Sequence, residues 1–556
     1  MKITYESQRL SLRFFLLMLI LFAGQVAYGM LLAVQQVDPT ILAGTLSFNV
    51  VRASHLSLGI LWIICGFIGA TVFVAPLLSK REIASQWLVK LLFYALIILA
   101  IWNISTQTLA MQGIAGWWKG QPWLQNGLEY LEGGRVFGIG VLVGFLIFAF
   151  VVLRTFPNFR KWNEIHWGLG LGISALAVVW VFGLFYISRI DLQEYFRWYV
   201  VHYWVEGVWE VIHISLVGVL IVIMFKASVR AVGFAVFWGI SFVWLSGLIG
   251  NAHHYFWIGT PEFWQFWGSF FSALEPLPLI FCFWHIYLDA HVNKRPLDNA
   301  PAFYFLLGST ILELVGAGIL GFTMTFALTN AWSHGTWITA GHGHLALFGT
   351  FGMLGIGAAY WAVAAIRNVP DFDQRIGRFG FWLLFIGMLG MAMSFAFGGV
   401  AHSFVARVLG LEWTSGDIGP AMSTFKLILP IFGFVFTVGA LVIVYDLLTL
   451  GTHKAQPFEV PSATGWRKAM TGFEAGTWLL FMCFFGLVIT FGLLAFNLPI
   501  VREEGDPTLP YLLSAVGYTG LFAATIAFVA RFTASLDSRL RTTYPEIATP
   551  DLAVET

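Results

Sequence analysis

His202-Tyr-Trp-Val-Glu206-Gly-Val-Trp-Glu210-Val-Ile-His213 lies inside an apolar run, residues 198–225. About 20 apolar residues at a rise of roughly 1.5 Å each cross the hydrocarbon core of a bilayer. This run is therefore read as a spanning helix that carries four ionisable side chains into the membrane. Each such side chain costs roughly 2.5–3.5 kcal/mol on insertion scales, which makes each a functional candidate. At about 100° per residue, Glu206, Glu210 and His213 all fall within roughly 80° of His202. The four form one stripe facing a polar interior site. The bland alternative is a hydrogen-bonded helix–helix contact, and four ionisable groups on one stripe weigh against it.

The surrounding chain agrees with that reading. Of 556 residues, 58% are hydrophobic and only 11% charged, with a mean hydropathy of +0.80. A soluble domain is about 25% charged, so both a soluble fold and a disordered one are excluded. The net charge of +1 gives no reason to expect nucleic acid as a partner. The three cysteines, Cys65, Cys282 and Cys483, form no CxxC pair and no disulfide framework. Fourteen apolar segments are expected to span: 10–33, 55–79, 86–104, 134–154, 165–187, 198–225, 231–252, 262–290, 301–327, 337–366, 376–402, 421–449, 472–498 and 510–532. They are too long and too little alternating for barrel strands, so the fold class is an all-α polytopic membrane protein. Membrane lipid is its first partner.

Charge sets the orientation. Twenty-one of the 30 basic residues fall on one side of this arrangement, seven on the other, and Lys90 and Lys426 inside spans. The positive-inside rule then predicts both termini in the cytoplasm. Arg9 and Arg13 flank a first run long enough to span, so a cleaved signal peptide is not expected.

More histidines stand at the same membrane level. Asn251-Ala-His253-His254 ends one span; a loosened last turn lets both rings reach one metal, whereas an interfacial pair is the plainer reading. Gly341-His342-Gly-His344 opens another span. Residues two apart point about 200° apart on a helix, so His342 and His344 are expected to serve two sites on opposite faces. Gly341 and Gly343 remove side-chain bulk, as a flat macrocycle near the backbone requires. His55 follows Arg52-Ala-Ser. In the predicted orientation His55, His202, His253, His254, His342 and His344 all sit near the outer surface. Scattered core histidines have no reason to share one level, and neutral imidazole suits iron, copper or zinc.

These residues, together with Ser272-Ala-Leu-Glu275-Pro-Leu-Pro, make a pattern over about residues 50–450. It resembles the catalytic subunit of bacterial nitric-oxide reductases, within the haem–copper oxidase superfamily. The resemblance implies a bundle of twelve core helices in residues 1–450, with two additional C-terminal helices and a short tail in 451–556. It implies that His55 and His344 are the axial ligands of a low-spin haem b, and His342 the proximal ligand of a high-spin haem b3. His202, His253 and His254, with Glu206, would hold a non-haem iron. Glu210 and Glu275 would lie beside it and deliver protons. It also implies a calcium ion near Glu129 or Glu132, with Gly66 as a carbonyl ligand; solvated helix-start carboxylates are the alternative there. The implied location is a bacterial plasma membrane and a respiratory chain.

Oxygen-reducing relatives place a tyrosine four residues after the first metal-binding histidine, where this chain has Glu206. A carboxylate is a hard donor that suits iron. The expected activity is therefore reduction of nitric oxide in denitrification, with an oxygen reductase or an NO dismutase as the runner-up. A transporter whose intramembrane charges mark a substrate path belongs to a different class; the shared level of six histidines and the lack of an internal repeat disfavour it. The chain has no haem c motif and no copper-binding cysteine pair. An electron donor is implied: a cytochrome c or cupredoxin-type partner, a second subunit with haem c or dinuclear copper, or quinol. Glu313 and His213 stand where the resemblance gives apolar residues; an altered proton route and local pairing weigh equally. His334 is read as a weak candidate for the haem region, and His166, His285, His291, His402 and His453 as structural or interfacial.

Overall fold

A computed structural model describes residues 2–111, 134–185, 187–225, 227–277, 299–369, 371–411, 418–452 and 472–537. Every regular element among these residues is helical. Among the described residues, thirteen helices are long and apolar enough to cross a membrane. We label them, with one shorter helix, α1 (Glu6–Val37), α2 (Phe48–Ser79), α3 (Gln86–Thr106), α4 (Val136–Thr155), α5 (Glu164–Leu184), α6 (Ile190–Met224), α7 (Val229–His254), α8 (Glu262–Leu274), α9 (Ala300–Met324), α10 (Trp337–Arg367), α11 (Gln374–Val408), α12 (Pro420–Thr449), α13 (Ala475–Ala495) and α14 (Thr508–Ala534). The fourteenth expected span, 262–290, begins with α8, and its remainder from residue 278 lies outside the described residues.

The sorting of helices follows their side chains. The most apolar windows of α2, α6, α9 and α10 are 94%, 100%, 83% and 89% buried, whereas those of α1, α3 and α12 are near one third. The outer helices therefore turn Ile20, Ile98, Phe434 and similar side chains outward, where lipid replaces protein contacts. Small residues let the inner helices approach. A Cβ on Gly66 would lie 3.2 Å from the Cα of Gly355, and one on Gly247 would lie 2.8 Å from the Cα of Gly207. α13 and α14 pack against each other and onto the inner layer through Phe303 with Phe532 and Phe397 with Tyr518.

Among the described residues, four stretches are wound as π-helix. Tyr199–Trp209 of α6, Glu313–Leu320 of α9, Leu345–Gly352 of α10 and Phe404–Val408 of α11 have i→i+5 hydrogen bonding. The regular stripe expected over residues 202–213 is therefore altered: the wider turn advances each residue by less than 100°. Such segments are rare and concentrate at functional sites.

Candidate metal and haem centre

The π-helical part of α6 holds His202 and Glu206 side by side, with His202 Nδ1 3.2 Å from Glu206 Oε2. Opposite, the last turn of α7 tightens to a 3₁₀ turn over Asn251–His254. That tightening swings His253 and His254 toward the same place. Donor atoms of His202, His253 and His254 lie within 4.8 Å of one another. His254 Nε2 is 3.1 Å from His202 Nδ1, and the His254 ring stacks on Trp198 at 3.7 Å and 5°. Ser272 of α8 contacts His253 Nδ1 through its hydroxyl at 2.7 Å, which fixes the ring and leaves Nε2 available. α8 comes this close because Gly268 has no Cβ to meet the backbone of His253.

This donor set fits a metal ion. His202 Nε2 is fully buried and has no hydrogen-bond partner among the described residues. Ring nitrogens of three histidines and a carboxylate oxygen crowd one point, an arrangement that suits a cation. Three imidazoles and a carboxylate suit iron.

Two further histidines face each other across α2 and α10. The rings of His55 and His344 are 6.2 Å apart between centres, with an angle of 28° between planes. A metal–nitrogen bond of about 2.0 Å on each side, plus about 1.1 Å from nitrogen to ring centre, spans about 6 Å. The gap is thus the size of a six-coordinate metal held by two imidazoles. His55 Nδ1 donates to the Gln25 carbonyl at 3.0 Å and His344 Nδ1 to the Ala340 carbonyl at 2.7 Å. A carbonyl only accepts, so Nε2 of each ring keeps its lone pair. His342 is held in the same way, donating from Nδ1 to Gly316 O at 2.8 Å, and it lies within electrostatic reach of Glu206 and His202. His342 and His344 therefore serve different neighbours from positions two apart on α10.

The glycines divide their roles. Gly343 faces open space, where a macrocycle edge fits, but a Cβ on Gly341 would meet Phe395 and the Ala392 carbonyl. Gly341 is thus a packing residue against α11, contrary to the shared role expected for the pair. Gly29 leaves room for the His55 ring, which a Cβ would approach to 2.8 Å.

The carboxylates continue inward. Glu275, just after α8, accepts from Ser246 Oγ at 3.2 Å. Glu210 is 2% exposed, and its Oε2 has no hydrogen-bond partner among the described residues. Glu206, Glu210, Glu275 and Glu313 are near enough for a charge on one to be felt by others. Glu129 and Glu132 lie outside the described residues. Gly66 is mid-helix, eleven residues and about 16 Å along α2 from His55, and its observed role is the close approach to Gly355.

His166 and His334 do structural work. His166 completes the N-terminal cap of α5 with Asn163, and His334 packs on Trp257 at 5.6 Å while its carbonyl accepts from Arg407. Burial, and then the charge of Arg407, push His334 below the usual histidine range. Sequence reasoning gave no role to Gln25, Gly29, Trp198, Ser246 or Gly316. Ser272 and Gly316 lay inside stretches singled out for their carboxylates, and none of these residues has a local signal of its role, because each acts on a histidine or a carboxylate distant in sequence.

Comparison with known proteins agrees with this architecture. The family described as "Cytochrome C and Quinol oxidase polypeptide I" matches residues 9–442. A nitric oxide reductase chain of Stutzerimonas stutzeri is 31% identical over 409 residues, covering 73% of this chain and 86% of that protein. The fold is similar to that of a haem–copper terminal oxidase dimer solved by cryo-EM. The TM-score is 0.63 at 14% identity, over 92% of this chain and 98% of that one.

Proposed function

The chain belongs to the subunit I family of the haem–copper oxidases, and from that premise we propose that it reduces nitric oxide: 2 NO + 2 e⁻ + 2 H⁺ → N₂O + H₂O. Membership makes it a multi-pass membrane oxidoreductase that uses haem. The finer reading rests on one observation, the Glu206 carboxylate 3.2 Å from His202 inside the three-histidine cluster. The similarity to a nitric oxide reductase chain supports it.

In this reading His202, His253, His254 and Glu206 hold a non-haem iron. His342 holds a high-spin haem b3 facing it, and His55 and His344 hold a low-spin haem b. When bound, these groups supply electron transfer and activate the nitrogen–oxygen bonds. The remaining work falls to the protein. Ser272 and Trp198 fix His253 and His254, so the donors are set before the metal arrives. Glu206 contributes a negative charge that neutral imidazoles lack. Glu275, fixed by Ser246, and Glu210 hold and pass protons at their carboxyl oxygens toward the cluster. The apolar helices around them exclude water.

We place the centre near the outer side of a bacterial plasma membrane, with both termini cytoplasmic, and take residues 1–450 as the catalytic core and 451–556 as an addition. Electrons come from a partner, either a second subunit with haem c or dinuclear copper, a soluble donor, or quinol. A calcium ion beside Glu129 completes the proposed inventory.

The test is metal and haem content of the purified chain, then turnover of NO against oxygen. About three irons per chain, two in haem b and no copper, is the expected result. A copper in place of the third iron moves the chain to oxygen reduction. Glu206→Ala should lower non-haem iron occupancy and NO turnover together; retained metal with undiminished turnover removes Glu206 from its role.

A further inference from the structure

Two deeply buried ionisable residues take no part in the proposed function. His213 of α6 and Glu313 of α9 are each 1% exposed. His213 Nδ1 lies 3.1 Å from Glu313 Oε1. A hydrogen-bond chain on the far side of the ring assigns its tautomer. Ser309 Oγ donates to Thr350 O at 2.6 Å, so its remaining lone pair accepts from His213 Nε2 at 2.7 Å. The ring proton is therefore on Nε2, and Nδ1 presents a lone pair to the carboxyl oxygen. Two lone pairs at this separation in an apolar interior repel. A proton on either atom, on the carboxyl oxygen or on Nδ1, removes that repulsion, and both forms leave the pair neutral overall. The two atoms are not aligned on a hydrogen-bond axis, and neither has another partner among the described residues. Nothing described competes for the proton held there.

The surroundings connect this proton to the centre. Glu210 stands one turn from His213 on α6, with its Oε2 buried and unpartnered. Glu210 and Glu275 both interact with the charge of Glu313. Glu313 opens the π-helical stretch of α9, and Thr350 lies in that of α10. Phe351 closes the other side of the His213 ring at 5.9 Å.

We propose that the His213–Glu313 pair is a proton-holding station for the metal centre. It keeps one proton in reserve beside Glu210 and Glu275 and gives it up when reduction at the centre consumes one. Release breaks the bond between the proton and Glu313 Oε1 or His213 Nδ1, leaving the Glu313 carboxylate and a neutral imidazole. The proton forms a new O–H bond on Glu210 or Glu275. Electrons come from the donor, one for each proton consumed. Ser309 holds the ring in the tautomer that makes this possible. The inference rests on the reading of the centre as one that reduces nitric oxide, but it requires only that reduction there consume protons.

The test uses the full chain with its haems and takes the reduced-minus-oxidised infrared difference spectrum. A protonated-carboxyl band that moves in D₂O is expected, absent in Glu313→Gln and displaced in His213→Gln. NO turnover should fall about tenfold or more in both, with haem and iron content unchanged. An unaltered band and unaltered turnover in haem-replete Glu313→Gln overturn the proposal. If Glu313→Gln does not assemble, Glu313→Asp and Ser309→Ala decide it. Both keep the acid, so a displaced band supports the station and an unmoved one overturns it. A chain that shows the band yet reduces oxygen and not NO sinks the nitric-oxide reading and supports the station.

Discussion

α6 and α13 are both apolar membrane helices, yet they are built to opposite rules. α6 is wholly buried in its most apolar window and carries His202, Glu206, Glu210 and His213, with eleven residues wound as π-helix. α13 is regular throughout, is 44% buried in its window and contains no charged residue. The contrast shows where this molecule tolerates irregularity. Strained winding and buried charge gather where other helices surround them on all sides, and the helix bordering lipid stays simple. A polar group facing lipid has no partner, whereas one inside the bundle can find one.

Substitutions can break that contrast, and the largest effect should come from α6. His202→Ala removes the donor shared by His254 and Glu206. On the proposed function, non-haem metal should be lost and NO turnover reduced by at least about 100-fold, with the spectrum of the haem proposed between His55 and His344 retained. Metal analysis beside optical spectra checks this; retained metal would dissolve the contrast. Ser272→Ala is milder, because it leaves every donor and frees only the His253 ring. A loss of about 10–100-fold in metal affinity or activity is expected, measured by competition with a chelator.

On the other side of the comparison, Gly517 of α14 lets α13 approach, and a Cβ there would meet Ile489 N at 2.9 Å. Gly517→Val should destabilise by about 1–3 kcal/mol, seen as a lower melting temperature, while turnover per haem stays unchanged. The smallest effect belongs to Asp373, which caps α11 by accepting from Arg375 N at 3.0 Å. Hydrogen bonding from Arg375 holds its carboxyl below the usual range. Its contribution is full above the unfolded value and is lost as pH falls through the folded one. Asp373→Ala should cost about 1 kcal/mol at neutral pH and less in acid, as melting against pH would show.

Much of the bundle was legible because lipid imposes one rule on every span. Length and hydropathy located all thirteen helices long enough to span among the described residues, and counting spans led to the expectation that six histidines share one level. The cluster of His202, His253 and His254 was legible as a possibility. Its closure was not, because it depends on a 3₁₀ turn at Asn251–His254 and a π-helix at Tyr199–Trp209 that only packing selects. The contact of His213 with Glu313 was beyond reach for the same reason, since the two residues lie on helices far apart in the chain. Gly341 shows the converse: its neighbour His342 suggested a role beside a ring system, and the observed neighbour is α11.

The winding of α6 also bears on how this chain can change by inheritance. A π-helical stretch is one residue longer than the α-helix covering the same turns. Loss of a single codon between residues 199 and 209 would restore ordinary winding with no change of composition worth noticing. The helix beyond it would keep its register, since both windings cover the same turns, whereas His202 and Glu206 within the stretch would be shifted against His253 and His254. Point substitutions can erode this centre by degrees, whereas one in-frame deletion would dismantle it at a stroke.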